Sequence, residues 1–312
     1  MPSFHHILFV SHGVRDETQA IGQAIKLACA NQAQLDVLIT CPPFPDTLKE
    51  YRASYEESLL ERMQKTIKAA KTNLHISKNK IPVHIELECG NTPAVRIIRH
   101  VLRNNYDLVV KEVETNESNK GFKALDMELL RKCPCALFLY RPFKQESHKT
   151  RIAVAIDASE QETAGQDLAL RLLDISQLLA KHYEGNLTII SCWDFALENY
   201  LRNNLSAAIS NADLDAVIAE EKISHARALQ VLIKQSKISS TCRIEHLKGR
   251  PENLIPAFIT EKKIDVLIMG TVARTGISGF FIGNTAENIL QKIDCSLLAL
   301  KPQGFVSPIK AY

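Results

Sequence analysis

Ile152-Ala153-Val154-Ala155-Ile156-Asp157-Ala158-Ser159 is the segment from which the architecture of this 312-residue chain can be read. Five apolar residues are too few for a helix. They do not alternate with polar ones, so the segment suits a strand buried on both faces. An acid and two small residues end it. From Glu160 to Tyr183 the apolar positions Leu168, Leu172, Ile175 and Leu179 recur at helical spacing. A second apolar run, Asn186–Trp193, then begins. Buried strands separated by helices predict a parallel sheet with right-handed crossovers and a helix layer on each face.

The pattern continues in both directions. Helices are predicted over Leu214–Gln235, Pro251–Glu261 and Asn284–Lys292, and strands over Arg243–Leu247, Asp265–Met269 and Ser296–Leu300. Proline in the first turn supports the second of these helices. The alternation within Arg243–Leu247 suits the margin of a sheet. The first half repeats the scheme, with strands near Ile7–Ser11, Leu35–Thr40, Val83–Leu87, Leu108–Lys111 and Ala136–Tyr140. Ile7–Val10 aligns with Ile152–Ala155 at an offset of 145, and Leu129–Lys132 with Ile289–Lys292 at 160, which also superposes Cys135 on Cys295 and Pro142 on Pro302. The second copy therefore carries extra residues, expected between Ala196 and Asp213. Residues 144–149 read as a polar linker. The expected fold class is α/β: two tandem, doubly wound, five-stranded parallel sheets, one over residues 1–143 and one over 150–303. Ala136–Tyr140 and Ser296–Leu300 are expected to pair, making an internal pseudo-dimer that covers two open edges. A homodimer of chains is a further expectation.

Composition narrows the function. Hydrophobic residues make up 46% and charged residues 23%, which suits a core-forming protein. Residues 1–149 hold 21 basic and 17 acidic side chains, and the remainder 17 and 18. Neither half has the basic excess of a general nucleic-acid binder. No apolar run approaches the roughly 20 residues of a membrane span, and the start of the chain lacks a signal-peptide pattern; the expectation is a cytoplasmic protein without a membrane partner. The eight cysteines contain no C-x-x-C pair, and Cys133-Pro134-Cys135 lacks partners for zinc, so reduced core thiols are expected. His5 and His6 have no acid or cysteine beside them in sequence to build a metal site.

Four of the chain's 12 glycines, Gly270, Gly276, Gly279 and Gly283, fall between the strand ending at Met269 and the helix beginning near Asn284. Glycine there permits positive φ and close approach of backbone amides to a ligand. Asn284 or Thr285 occupies the expected N-cap, with Glu287 supporting the first turn. The amides of such a helix start favour an anion. The segment matches neither the Walker loop nor the G-x-G-x-x-G fingerprint. Asp157 lies at the carboxyl edge of the same sheet, where doubly wound folds bind ligands. Its carboxylate could accept from the exocyclic amine of adenine; capping the following helix, shared with Ser159, is its structural alternative.

An acid after the first strand, together with G-x-x-G-(nine residues)-G-[S/T/N], resembles the universal stress protein family. Gly270 matches the first glycine, Gly283 the last, and Asn284 the small polar position. The tandem arrangement and Gly270–Ser278 are most similar to the type E branch. The resemblance implies a fold of the adenine nucleotide alpha hydrolase-like kind and a cytoplasmic role in stress survival. It also implies adenine nucleotide binding in members that keep the motif, with the base near the strand-one acid and the phosphates on the glycine loop. Carried onto this chain, the candidate site is Ala155, Asp157, Met269, Gly270, Arg274, Gly283, Asn284 and Thr285. The implied ligand is ATP or a related nucleotide, with Mg²⁺ as its companion ion.

The second glycine of the pattern is Ala273 here. Where that position needs positive φ, a Cβ costs roughly 1–2 kcal/mol; Arg274 could offset this by pairing with phosphate. In the first copy His12 replaces Asp157 at the offset of 145, and Lys123-Ala124 replaces Gly283-Asn284 at 160, so no site is expected there. No general base or nucleophile accompanies the glycine loop, and at most a weak ATPase is expected. The competing expectation is a stress-response module that holds a protein partner or an apolar metabolite through Phe280 and Phe281.

Overall fold

The computed structural model describes residues 4–77, 80–114, 120–143, 149–160, 162–203, 209–238, 242–271 and 282–312. The first half runs β1 (His6–Ser11), α1 (Thr18–Asn31), β2 (Gln34–Cys41), a 3-10 turn at Asp46–Tyr51, α2 (Arg52–Asn73), β3 (Val83–Cys89), α3 (Pro93–Asn104), β4 (Leu108–Glu112), α4 (Ala124–Lys132) and β5 (Ala136–Tyr140). The second runs β6 (Arg151–Ala155), α5 (Thr163–His182), β7 (Asn186–Trp193), α6 (Glu198–Asn203), α7 (Asn211–Gln235), β8 (Arg243–Lys248), α8 (Pro251–Lys262), β9 (Val266–Gly270), α9 (Asn284–Leu290) and β10 (Ser296–Leu300). Where the first half has its 3-10 turn the second has α6, inside the predicted insertion.

The described strands form one ten-stranded sheet in the order β3-β2-β1-β4-β5-β10-β9-β6-β7-β8. Each half is parallel, with its first strand flanked by its second and fourth. The halves join where β5 and β10 pair antiparallel, with Leu298 opposite Phe138 and Leu297 opposite Leu139. The fold is therefore two tandem doubly wound domains fused into a pseudo-dimer. Central strands are apolar throughout because helices cover both faces. Only the two marginal strands, β3 and β8, leave most of their residues partly exposed. One face packs α1, α2, α5 and α7 against the sheet, and the other α3, α4, α8 and α9.

Further contacts lock the seam. The Ser296 hydroxyl accepts from the Arg141 amide at 3.0 Å and donates to the Arg141 carbonyl at 3.1 Å. The Gly121 amide donates to the Ile293 carbonyl at 2.9 Å. Gly121 has φ +70°, and a Cβ there would lie 2.9 Å from the Gln291 carbonyl oxygen, so this crossing requires glycine. The Tyr183 hydroxyl donates to Gln23 Oε1 at 2.9 Å, tying α5 to α1.

Two sequence expectations change. Cys41 and Cys89 form a disulfide between the ends of β2 and β3, so not all thiols are reduced. The two residues face each other in register, Cys41 opposite Cys89, a proximity that 48 intervening positions conceal. His5 and His6 also have acidic neighbours: His6 Nε2 lies 2.9 Å from Asp36, and His5 Nδ1 3.5 Å from Asp107.

The disulfide clamps a marginal strand and closes a long loop. Cys41→Ser with Cys89→Ser is expected to lower the unfolding free energy by about 2–4 kcal/mol. Urea denaturation should show this as a lower midpoint. Reducing the natural chain should reproduce the shift and leave the double variant unmoved.

Candidate functional site

In a doubly wound sheet the ligand crevice opens at the carboxyl ends of the strands, where the strand order reverses. That point lies between β1 and β4 in the first half and between β6 and β9 in the second. Because β5 and β10 are antiparallel, the two crevices face opposite edges of the sheet.

In the second crevice, β6 brings Ala155 and Asp157 beside Met269 and Gly270 of β9, and α9 begins across from them with Asn284 and Thr285. Asp157 is exposed and Met269 buried. Asp157 Oδ1 accepts from the Ser159 amide at 3.0 Å and from its hydroxyl at 2.6 Å. Helix α5 begins only at Thr163, with Glu162 as its N-cap, so neither Asp157 nor Ser159 caps it. The capping alternative therefore falls away.

The helix start differs from expectation. The N-cap of α9 is Gly283, with φ −64° and ψ 141°, and Asn284 and Thr285 are its first two helical residues. Neither Gly270 nor Gly283 has positive φ. The Gly283 amide is not open to an anion, since it donates to the Thr271 carbonyl at 3.0 Å. Gly270 serves packing: a Cβ there would lie 2.9 Å from Leu168 Cδ2 on α5. Glu287 does not act as a capping side chain but pairs with Arg131 of α4, across the seam. The N-terminal amides without intrahelical partners belong to Asn284, Thr285 and Ala286. Arg274, Ala273, Gly276, Gly279, Phe280 and Phe281 lie outside the described residues.

Residues not singled out from the sequence also border this crevice. The buried Thr271 hydroxyl has no hydrogen-bond partner among the described residues. His225 Nδ1 of α7 lies 2.8 Å from His246 Nε2 of β8, and the His246 ring stacks on Trp193 with centroids 5.9 Å apart. Burial and the Asp157 charge push the Cys192 thiol up to about 11. Burial lowers the His225 pKa, and Asp157 opposes that shift. No local motif marks this group, because α7 and β8 meet only through the fold. At this crevice the exposed Asp157 carboxylate, the Thr271 hydroxyl and the start of α9 come together.

The first crevice is filled. Lys111 and Asp126 are both fully buried, with Lys111 Nζ 2.9 Å from Asp126 Oδ1 and 2.9 Å from the Glu112 carbonyl. The Ser11 hydroxyl donates to buried Glu17. His12 Nε2 sits 3.2 Å from Glu114 Oε1 without hydrogen-bond geometry. Burial raises the carboxyl pKa of Glu17 and Asp126, and Lys111 opposes both shifts. Burial and the Glu17 charge push Glu112 up to about 7. Burial and Lys111 push His12 down.

Sheet register identifies the substitution. Leu108 lies opposite Ile7 and Ala136, as Val266 lies opposite Ile152 and Ser296. Lys111 is thus the counterpart of Met269, and Asp126 that of Ala286 at the offset of 160. The register at β4 corresponds to an offset of 158, two fewer than the flanking helix and strand imply.

The tandem parallel sheets, joined at their last strands, define a two-domain, doubly wound α/β protein. The sequence profile of the universal stress protein family matches residues 3–141 and 149–301, and the chain belongs to that family. It is 26% identical to universal stress protein E of Photorhabdus laumondii, over all of this chain and 99% of that protein. It is 27% identical to the universal stress protein E homolog of Haemophilus influenzae, over 96% and 98%. Among solved structures, a Pseudomonas aeruginosa protein of unknown function superposes with TM-score 0.72 at 20% identity, covering 96% of this chain and 94% of that one. An Archaeoglobus fulgidus universal stress protein superposes with TM-score 0.64 at 16% identity, over 96% and 99%. Both likenesses concern the fold.

Lys111→Met alone is expected to cost about 3–5 kcal/mol, because it leaves Asp126 buried without its cation. Combined with Asp126→Ala it imports the second domain's apolar pair and should restore most of that loss, measured by urea unfolding. Glu112 has its folded pKa raised from 4.5 to about 7, so the folded state holds the proton more tightly. Its contribution to stability therefore falls as pH rises through that window. Glu112→Gln should flatten this slope in a pH series of unfolding midpoints.

Proposed function

We propose that this chain is a stress-response protein that binds an adenine nucleotide in its second domain alone. The observation that carries the reading is the contrast between the crevices. The second keeps an exposed carboxylate at Asp157, a Thr271 hydroxyl without a partner among the described residues, and the start of α9. The first holds a buried ion pair at the corresponding depth. Asp157 would accept from the exocyclic amine of the base. The amides of Asn284 and Thr285, with Arg274, would meet the phosphates. Ala155, Met269, Gly270 and Gly283 would form the walls that bring these groups together. Mg²⁺ would arrive with the nucleotide; among the described residues no group of three or more acidic, His or Cys side chains is arranged to hold a metal.

Calorimetric titration of the full chain with ATP, with and without Mg²⁺, tests this. Saturable binding near one equivalent is expected. Asp157→Ala should weaken it about tenfold, the loss of one hydrogen bond to a charged group. His12→Ala should leave it unchanged. No saturable binding at millimolar nucleotide would reject the proposal. An apolar compound co-purifying with the chain would favour the module without nucleotide.

A further inference from the structure

Away from both crevices, the thiols of Cys133 and Cys135 lie 3.6 Å apart at the entry to β5. Cys133 is fully buried and Cys135 partly exposed. Lys301, just beyond β10, reaches this region because β5 and β10 run antiparallel. It is only 7% exposed, and its ammonium donates to the Leu130 carbonyl and lies 4.8 Å from the Phe305 ring centroid. A lysine so enclosed carries a charge that needs a local counterpart. The opposite end of the seam lacks this arrangement. There the counterpart of Cys135 is Cys295, but that of Cys133 is Ile293. The pair therefore exists once, under a cation supplied by the other domain.

We propose that Cys133 and Cys135 form a dithiol–disulfide redox site, oxidised by small-molecule disulfides and poised by the Lys301 ammonium. Cys135, the more exposed residue of the two, gives its proton to solvent and attacks the external disulfide as its thiolate. One external thiolate leaves. Cys133, losing its own proton, then attacks Cys135 Sγ and expels the second. The protein loses two electrons and two protons, and the external disulfide becomes two thiols. Closure needs the sulfurs to approach from 3.6 Å to bonding distance. The contact with Cys135 and, more weakly, the Lys301 charge lower the Cys133 pKa, while the same contact and burial raise that of Cys135. Burial presses the lysine down to about 8, and the two thiols oppose that shift. Cation and thiolate thus favour each other inside the seam.

The test exposes the folded chain to oxidised glutathione at neutral pH, quenches with acid, alkylates and weighs the tryptic fragment beginning at Cys133. That fragment contains both thiols and excludes Cys41 and Cys89. The expected product has lost two hydrogens and resists alkylation. Cys133→Ser should instead accumulate a glutathione adduct on Cys135. Lys301→Met should slow closure about threefold, the net of a tenfold smaller thiolate fraction and a more nucleophilic sulfur. Lys301→Arg should retain the natural rate, and the difference between Met and Arg should vanish in urea. Should Lys301→Met fail to fold, its rate would equal that of the unfolded natural chain, and the comparison of Lys301→Arg with that value carries the test. A fragment alkylated at both thiols after exposure, or a folded Lys301→Met chain closing as fast as the natural one, would overturn the proposal.

Discussion

The backbone ladder between β5 and β10 is the constraint from which the rest of the molecule follows. Each domain, built alone, would present an apolar strand with unpaired amides and carbonyls. Pairing these two strands satisfies both sets at once and removes two edges that would otherwise recruit other chains. The antiparallel sense reverses one domain relative to the other, so equivalent helices share a face while the two crevices open at opposite edges. It also carries each domain's last residues to the other's loops. Lys301 comes to donate to the Leu130 carbonyl, Ser296 exchanges two hydrogen bonds with the Arg141 backbone, and Arg131 reaches Glu287.

Within this nearly symmetric frame the domains diverge chemically at one point. The end of the fourth strand and the first helix turn after it meet beneath each crevice. In the second domain both positions are apolar, Met269 and Ala286, and the carboxylate of Asp157 above them is exposed. In the first domain the same two positions hold Lys111 and Asp126. A buried ion pair costs desolvation and is sustained only by close partners, so the surrounding Glu17, Glu112, Glu114 and His12 are drawn into one network. A crevice committed to its own counter-charges has little left to offer a ligand.

Much of the fold was legible along the chain. Ile152–Ile156 and Ser296–Leu300 read as buried strands because their runs are short and continuous, and α6 falls within the segment expected to hold the insertion. Boundaries moved by up to three residues where capping was misjudged: α5 begins at Thr163 rather than Glu160. The carboxyl-edge position of Asp157 followed directly from strand length. The conformation of Gly283 did not, because its amide is claimed by Thr271, twelve positions earlier. Pairs such as Cys41–Cys89 and His225–His246 leave no local trace, since each joins separate elements.

What the amino-acid sequence determined by itself was the alternation of strands and helices, the internal repeat and the loss of the acid and glycine pattern from the first half. These are consequences of local periodicity and composition, and each can be read within a few neighbouring residues. Only the tertiary structure decided that Lys111 would stand at the depth of Met269, that an amide beside the glycine loop would be occupied, and that a lysine from one domain would bond to the Leu130 carbonyl of the other. Those outcomes depend on strand register and on the direction of pairing at the seam, which are settled by long-range packing.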